Sequence, residues 1–281
     1  MRLTQSGPVE PTHANKGGLA SIIMPAFNAS RFIRDAIDSV LSQTCQAWEL
    51  IVVDDCSQDD TNAIVTDYAH DDRRIRLVTQ PENQGVAAAR QAGIDAATGR
   101  YIAFLDSDDT WLPEKLAHQL AFMKSRDVAF SYTLYRRMSE AGDAVSDVVH
   151  LKDSFDYRAL LRNTGIACLT VMLDMAKVGA LAVPAIRHED YALWLDILKR
   201  GFVAHCLQED LARYRVVSGS VSGMKLKSAL WVWNIYRYEG LGIGCSLWNL
   251  MGYAWHAYRK RRGALPQARW ARTPDDHMTG A

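Results

Sequence analysis

The stretch Tyr101-Ile102-Ala103-Phe104-Leu105-Asp106-Ser107-Asp108-Asp109 limits the folds open to this chain more than any other segment. An unbroken apolar run leads straight into three carboxylates packed within four positions. A strand that is apolar at every position is buried on both faces, as interior strands of parallel sheets are. Ligands of open α/β sheets bind beyond the carboxyl ends of such strands, which is where these acids fall. Crowded like charges repel and add nothing to folding. A divalent cation with oxygen ligands, Mg2+ or Mn2+ bridging to a substrate phosphate, is the first expectation. The alternative is a solvated acidic turn before a helix that starts near Trp111-Leu112-Pro113.

The upstream pattern agrees with a parallel sheet. Residues 21–24 form a short apolar strand ended by Pro25, and apolar residues recur at Phe32, Ile33, Ala36, Ile37, Val40 and Leu41. That spacing predicts an amphipathic helix, with Asn28 or Ser30 available as N-cap. A strand over 48–53 ends in Asp54-Asp55; a helix over 61–69, a strand over 75–79 and an alanine-rich helix over 85–97 follow. Strand–helix alternation predicts an α/β fold with a mixed, mainly parallel sheet flanked by helices. Farther on we expect strands at 128–138, 168–173 and 211–217, and helices at 155–162 and 188–200. With 281 residues, 48% of them hydrophobic, the chain suffices for one large domain and an appendage.

The bulk numbers exclude some classes of function. Lys+Arg and Asp+Glu are 32 each, so no global charge points to a nucleic-acid partner. Cys45, Cys56, Cys168, Cys206 and Cys245 show no paired short spacing, which fits reduced thiols better than a zinc site or a disulfide framework. Residues 1–18 are polar, lack the apolar core of a signal peptide and read as a disordered tail. No run is long enough to span a bilayer, so we expect a cytoplasmic protein. Nothing in the sequence sets an oligomeric state.

Three further features bear on chemistry. Asp54-Asp55 ends a strand and reaches the same sheet edge as the 106–109 cluster. Glu189-Asp190 opens a helix in which Asp190 and Trp194 are i, i+4 neighbours. A carboxylate beside an indole suits general-base work on a sugar hydroxyl, although acids at a helix start also complement the macrodipole. The segment Arg213-Tyr214-Arg215 leads into a Ser/Gly loop over 218–223, which offers donors to a diphosphate or is simply a surface loop. Arg90 either binds nucleotide or pairs with an acid on its helix.

Taken together, these residues resemble glycosyltransferase family 2. The matching text is Ser21-Ile22-Ile23-Met24-Pro25-Ala26-Phe27-Asn28, Ile51-Val52-Val53-Asp54-Asp55-Cys56-Ser57, Asn83-Gln84-Gly85-Val86-Ala87-Ala88-Ala89-Arg90, Phe104-Leu105-Asp106-Ser107-Asp108-Asp109 and His188-Glu189-Asp190-Tyr191-Ala192-Leu193-Trp194-Leu195. Five co-linear matches across residues 19–225 are far more specific than any one alone. The resemblance implies the nucleotide-diphospho-sugar transferase (GT-A) fold over 19–225. It also implies inverting transfer from a nucleotide-diphospho-sugar donor, UDP-linked, to a glycan or lipid-linked acceptor, with Mn2+ or Mg2+. By the same resemblance Pro25, Phe27 and Asp55 hold the nucleotide base, and Asp106 faces the ribose or the metal. Asp108 ligates the metal, with Asp106 or Asp109 as alternatives, and Arg215 closes on the donor. Asp190 is the catalytic base, with Glu189 and Trp194 on the acceptor side.

The rivals are a sugar-phosphate nucleotidyltransferase, whose Gly-rich basic signature residues 21–30 lack, and a non-catalytic carbohydrate-binding or scaffold relative. The last part of the chain changes character. Residues 226–262 crowd Trp231, Trp233, Tyr236, Tyr238, Trp248, Tyr253, Trp255 and Tyr258 ahead of Arg259-Lys260-Arg261-Arg262, and 263–281 read as a tail. Aromatics beside a basic cluster fit a peripheral contact with the inner face of a bacterial cytoplasmic membrane, which we favour over a helix that only packs on the core.

Overall fold

The computed structural model describes residues 18–163, 165–217, 225–263 and 271–272. The expected tails, 1–18 and 263–281, lie almost wholly outside the described residues, as does the 218–223 loop.

The first half alternates as the apolar pattern predicts: β1 (Ala20–Ala26), α1 (Ile33–Leu41), β2 (Trp48–Asp54), α2 (Thr61–Asp71), β3 (Ile75–Thr79), α3 (Val86–Ala96) and β4 (Tyr101–Phe104). These four strands run parallel in the order β4-β1-β2-β3. Ile23, Ile51, Val53, Ile102 and Phe104 enter one core, against α3. Their neighbours Ile22, Met24, Leu50, Val52 and Ala103 enter the opposite one, against α1. Side chains of a strand alternate in direction, so two buried faces require an apolar residue at every position. Pro25 does not end β1. The Ile23 carbonyl accepts the Leu105 N–H at 3.1 Å, and Pro25, two residues on, points the same way past the end of β4. Its missing N–H breaks no ladder.

The second half is built from β5 (Thr110–Trp111), α4 (Lys115–Ser125), β6 (Phe130–Met138), β7 (Ala144–Val149), β8 (Ser154–Phe155), α5 (Tyr157–Leu161), β9 (Met172–Asp174), α6 (Met175–Val178), α7 (Glu189–Lys199) and β10 (Ala204–Arg215). Then come α8 (Lys225–Tyr238), α9 (Ile243–Gly263) and β11 (Ala271–Arg272). Beyond β4 the sheet continues through β9, β6 and β7, all antiparallel, while β10 runs parallel to β6. Residues 168–173 split into a 3-10 turn (Cys168–Thr170) and β9 rather than one strand. The strand expected at 211–217 is the end of β10, whose pairing with β6 shifts register between Leu207 and Ala212. That bulge carries Gln208, Glu209 and Asp210, which hid the strand's first half from the apolar pattern. Asn28 and Ser30 do not cap α1; Phe32 takes the N-cap position. Val232, Ile235 and Tyr236 of α8 belong to the core beneath α7, so part of the appendage is a packing helix.

One buried charge stands apart from the active edge. Lys115 is fully buried, with its Nζ donating to Gln119 Oε1 at 2.9 Å and lying 3.8 Å from the Trp111 ring centroid. Burial pushes its pKa down to about 7. The unfolded chain, with an ordinary lysine, therefore holds the extra proton between about pH 7 and 10. This contribution to stability grows as pH rises through that window, by at most about 1.4 kcal/mol per pH unit. Urea melts at pH 7, 8 and 9 should show wild type gaining on Lys115→Met at about that slope. A pH-independent difference would show that the lysine titrates normally.

Candidate active site

The loops after β1, β2 and β4 meet at one sheet edge because register brings the strand ends level. Ala26 pairs with Asp54, and Asp55 N–H donates to Ala26 O at 2.8 Å. Three of the four described non-glycine residues with left-handed φ lie on the loops of this edge: Asn28 (49°), Cys56 (63°) and His188 (60°). Such conformations persist where surrounding contacts enforce them. Asn28 N–H donates to Ser57 Oγ at 2.9 Å, and Asn28 Oδ1 accepts Gln58 N–H at 2.8 Å. Phe27 is 49% exposed at this edge, whereas Pro25 is buried within β1.

Asp55 follows directly on β2 at this edge. It is buried, and its carboxylate accepts the backbone N–H groups of Gln84 and Gly85, each at 2.8 Å. The Gln80 amide, in the orientation that satisfies both of its ends, adds a third donor at 2.7 Å. Helix N-termini leave N–H groups without intrahelical partners, and Asp55 supplies the acceptor for the start of α3. Its carboxylate thus ties the start of α3 to the end of β2.

One turn into α3, Arg90 organises the site. It is 4% exposed; Nη2 lies 2.6 Å from Asp106 Oδ1 and Nη1 pairs with Glu189. Burial works to lower its pKa, but Cys168, Asp106, Glu189 and Asp190 around it raise it well above the ordinary value. The guanidinium stays charged and ties the turn after β4 to the first turn of α7. Removing one partner of a buried ion pair costs about 3–5 kcal/mol, so this link is stiff. Glu189 is buried in this pairing. Nor does Arg90 pair within its own helix: both acids come from other elements. Cys168 sits among the same charges with its thiol pushed up by burial. No sequence signal marked it beyond its being a cysteine.

The three acids after β4 separate by environment. Asp106 and Asp108 are partly exposed. Burial and the neighbouring Asp106 push the Asp108 carboxyl up to about 6. Asp109 is 1% exposed; its Oδ1 accepts Arg215 N–H at 2.8 Å, and its Oδ2 has no partner among the described residues. Burial, then Asp108 and Asp106, push it well up, and its hydrogen bond ties it to β10. Arg215, 4% exposed, donates to Asp108 O (2.7 Å), Glu140 O (2.9 Å) and Asp35 Oδ2 (2.7 Å). All three contacts are internal, so Arg215 braces the acidic turn.

Asp190 lies at the start of α7, partly exposed, with Oδ1 accepting its neighbour Tyr191 N–H at 2.7 Å. Trp194 does not stand beside it as a sugar platform. It is 1% exposed, wedged against Phe104 and Phe130 with ring centroids 5.3 Å away in each case. The i, i+4 spacing placed both residues on one side of α7, but that side descends into the core within a turn. An aromatic at the residue that precedes this helix comes instead from α8: Trp231 lies 4.9 Å from the His188 ring. In the sequence it was one of many aromatics in a segment read as membrane contact or core.

Comparison with known proteins places this geometry. The signature described as "Glycosyl transferase family 2" matches residues 21–175. TuaG of Bacillus subtilis, a glycosyltransferase ascribed to teichuronic acid biosynthesis, is 44% identical over 86% of this chain and 97% of its own length. WfgD of Escherichia coli, a UDP-Glc:alpha-D-GlcNAc-diphosphoundecaprenol beta-1,3-glucosyltransferase, is 38% identical over 77% of this chain and 85% of its own. Among solved structures, Staphylococcus aureus TarS 1–349 with UDP-GlcNAc superposes with a TM-score of 0.64 at 17% identity, over 84% of this chain and 71% of TarS. A Pyrobaculum calidifontis mannosyltransferase with GDP-Man and Mn2+ gives 0.63 at 17%, over 93% and 80%. These similarities identify the GT-A fold. With the signature covering more than half of the sequence and full-length relatives at this identity, the chain belongs to glycosyltransferase family 2.

Proposed function

We propose that this glycosyltransferase moves a sugar from a UDP-linked donor, with inversion, onto a hydroxyl of a lipid-linked acceptor in making a bacterial surface polysaccharide. The observation that carries the reading is the Arg90 bridge, which joins Asp106 beside Asp108 to Glu189 beside Asp190. A donor-side turn and a candidate base share one rigid cross-link. The acceptor class is supported by the activity for which WfgD is named, which acts on a GlcNAc-diphosphoundecaprenol. UDP is supported by that activity and by the bound nucleotide of TarS.

Asp106 and Asp108 fit a hard divalent cation. Both are oxygen ligands, and the burial and like charge that disfavour an ionised Asp108 are relieved by a cation. Among the described residues no group of three or more metal-ligating side chains converges. Two carboxylates completed by donor phosphates and water is the set that magnesium-class ions adopt. Bound there, Mg2+ or Mn2+ would supply Lewis-acid neutralisation of the departing diphosphate. Asp109 and Arg215 hold the turn that presents the two acids. Asp190 takes the acceptor's proton as its hydroxyl attacks the anomeric carbon from the face opposite the leaving group. One displacement inverts that centre, with no covalent glycosyl-enzyme formed.

A peripheral membrane contact belongs to the same reading. On α9, Ile243, Leu247, Trp248 and Met251 are 64%, 51%, 62% and 65% exposed and recur along one helical stripe. Among the described residues no helix is long and apolar enough to cross a membrane. An apolar stripe on a helix suits the headgroup boundary, with lipid-linked substrate at hand. The side chains of the 259–262 basic cluster lie outside the described residues.

The test is direct. Full-length protein, Mn2+, a panel of UDP-sugars and a short-tailed prenyl-diphosphate GlcNAc acceptor should yield UDP and a product whose new linkage has the anomeric configuration opposite to the donor's. Retained configuration by NMR would refute inversion. Transfer to no lipid-linked acceptor from any donor would refute the acceptor class.

A further inference from the structure

Between the turn that opens α7 and the side chains of α8 lies a cleft of about 250 Å3, lined by Ile186, Arg187, Trp231, Asn234 and Ile235. None of these residues takes part in the nucleotide or metal edge. Their connection to chemistry runs through His188, the left-handed residue (φ 60°) at the N-cap of α7, two positions before Asp190. Trp231 packs 4.9 Å from the His188 ring, and the Arg187 guanidinium lies 4.9 Å from the Trp231 ring centroid. Trp231 is half-buried, whereas Arg187 and Asn234 are exposed. Among the described residues Arg187 contacts this indole rather than a carboxylate.

That combination has a specific chemistry. An indole gives sugar C–H groups an apolar, electron-rich face. An arginine fork matches the oxygens of a phosphate two at a time, which a lysine ammonium does not. An amide such as that of Asn234 both donates to and accepts from sugar hydroxyls. The volume lies just below the roughly 300–1,000 Å3 of drug-sized sites, which suits a small polar head and not a chain of sugars. Trp194, the aromatic expected to stack on substrate, is buried and unable to do so.

We infer that this cleft is an acceptor subsite that binds a sugar 1-phosphate head, the sugar ring on Trp231 and the phosphate on Arg187. The inference rests on the proposed acceptor class and deepens it. It places the specificity-determining aromatic on the C-terminal appendage, outside the five motifs that define the family in this sequence. Helix α8 then serves two ends. One face packs under α7 through Val232, Ile235 and Tyr236, while Trp231 at the helix's other edge meets the acceptor.

Donor and acceptor KM are measured separately on the full chain and on Trp231→Ala, Trp231→Phe and Arg187→Gln. The acceptors are short-tailed prenyl-diphosphate GlcNAc and an alkyl GlcNAc glycoside without phosphate. Trp231→Ala should raise KM for both acceptors about several-fold to tenfold, with Trp231→Phe recovering most of the loss. Arg187→Gln should raise KM about tenfold or more for the diphosphate acceptor alone, the loss expected of a charge-assisted hydrogen bond. Free GlcNAc 1-phosphate should compete with the lipid acceptor in wild type and less well in Arg187→Gln. That arm reads the head group separately from the lipid. Acceptor KM unchanged in Trp231→Ala and Arg187→Gln, with wild type active, would overturn the subsite while leaving the functional reading intact. A donor KM that rises as much as the acceptor KM would also overturn it, since a general distortion of α7 moves both. Inactivity of wild type toward every GlcNAc acceptor would instead sink the functional reading.

Discussion

Asp190→Asn lowers kcat by about 10²–10⁴-fold while UDP affinity holds, the range that positioned general bases contribute. The substitution is nearly silent for the fold. Asp190 Oδ1 accepts Tyr191 N–H, and an asparagine oxygen accepts it equally well. Glu189, not Asp190, carries the buried pairing with Arg90, so the cross-link between α3 and α7 survives. What asparagine lacks is the capacity to take a proton from the acceptor hydroxyl. A purely capping aspartate predicts another result: Asn and Asp are about equivalent at a helix start, and turnover would stay near normal. Measuring kcat and calorimetric UDP affinity on one preparation separates the two. Near-normal turnover would mean that another group deprotonates the acceptor.

Asp108→Asn removes a hard anionic ligand and with it most of the charge neutralisation of the leaving diphosphate. Such stabilisation is worth several kcal/mol, so transfer should fall by more than about a hundredfold. Stability should move the other way or not at all. Asp106 and Asp108 crowd like charges at one turn, and a neutral amide removes that repulsion in the metal-free protein. Melting followed with and without Mn2+ gives a readout independent of turnover. The ion should raise the wild-type melting temperature by binding the folded state and leave the variant unmoved. An equal Mn2+ shift in both proteins, or full wild-type activity in excess chelator, would remove Asp108 from the metal site.

The parallel half of the fold was legible because its physics is local. Double burial demands an apolar residue at every position of β1, β2 and β4, and the helices between them carry a recognisable period. Strand ends of a parallel sheet share an edge, so the grouping of Asp55 with Asp106 and Asp108 followed from topology alone. The antiparallel half was less legible. Strands as short as β5 and β8 leave too few positions for a pattern, and the bulge in β10 interrupts one with charged residues.

Site roles transferred less evenly than site positions. A motif says that a residue is near the chemistry, not which way its side chain turns. Asp55, Asp109 and Arg215 all lie at the active edge, and each bonds to its own chain: Asp55 to the start of α3, Asp109 to β10, and Arg215 to two carbonyls and Asp35. Buried polar groups must be satisfied, and in a crowded turn the nearest partners are internal. Glu189 and Trp194 went the same way, one to Arg90 and the other into the core between Phe104 and Phe130.

The sequence by itself determined the parallel sheet, the edge where its acids gather and the family, since periodicity and co-linear motifs are written along the chain. The tertiary structure decided that Arg90 joins Asp106 and Glu189, sixteen and ninety-nine positions along the chain from it, and that Trp231 packs on His188 while Trp194 is buried in the core. Both depend on how α3, α7 and α8 pack on the sheet. Packing brings together residues whose separation in sequence carries no period, and the direction a side chain faces is settled by burial and partner groups that a one-dimensional pattern does not contain.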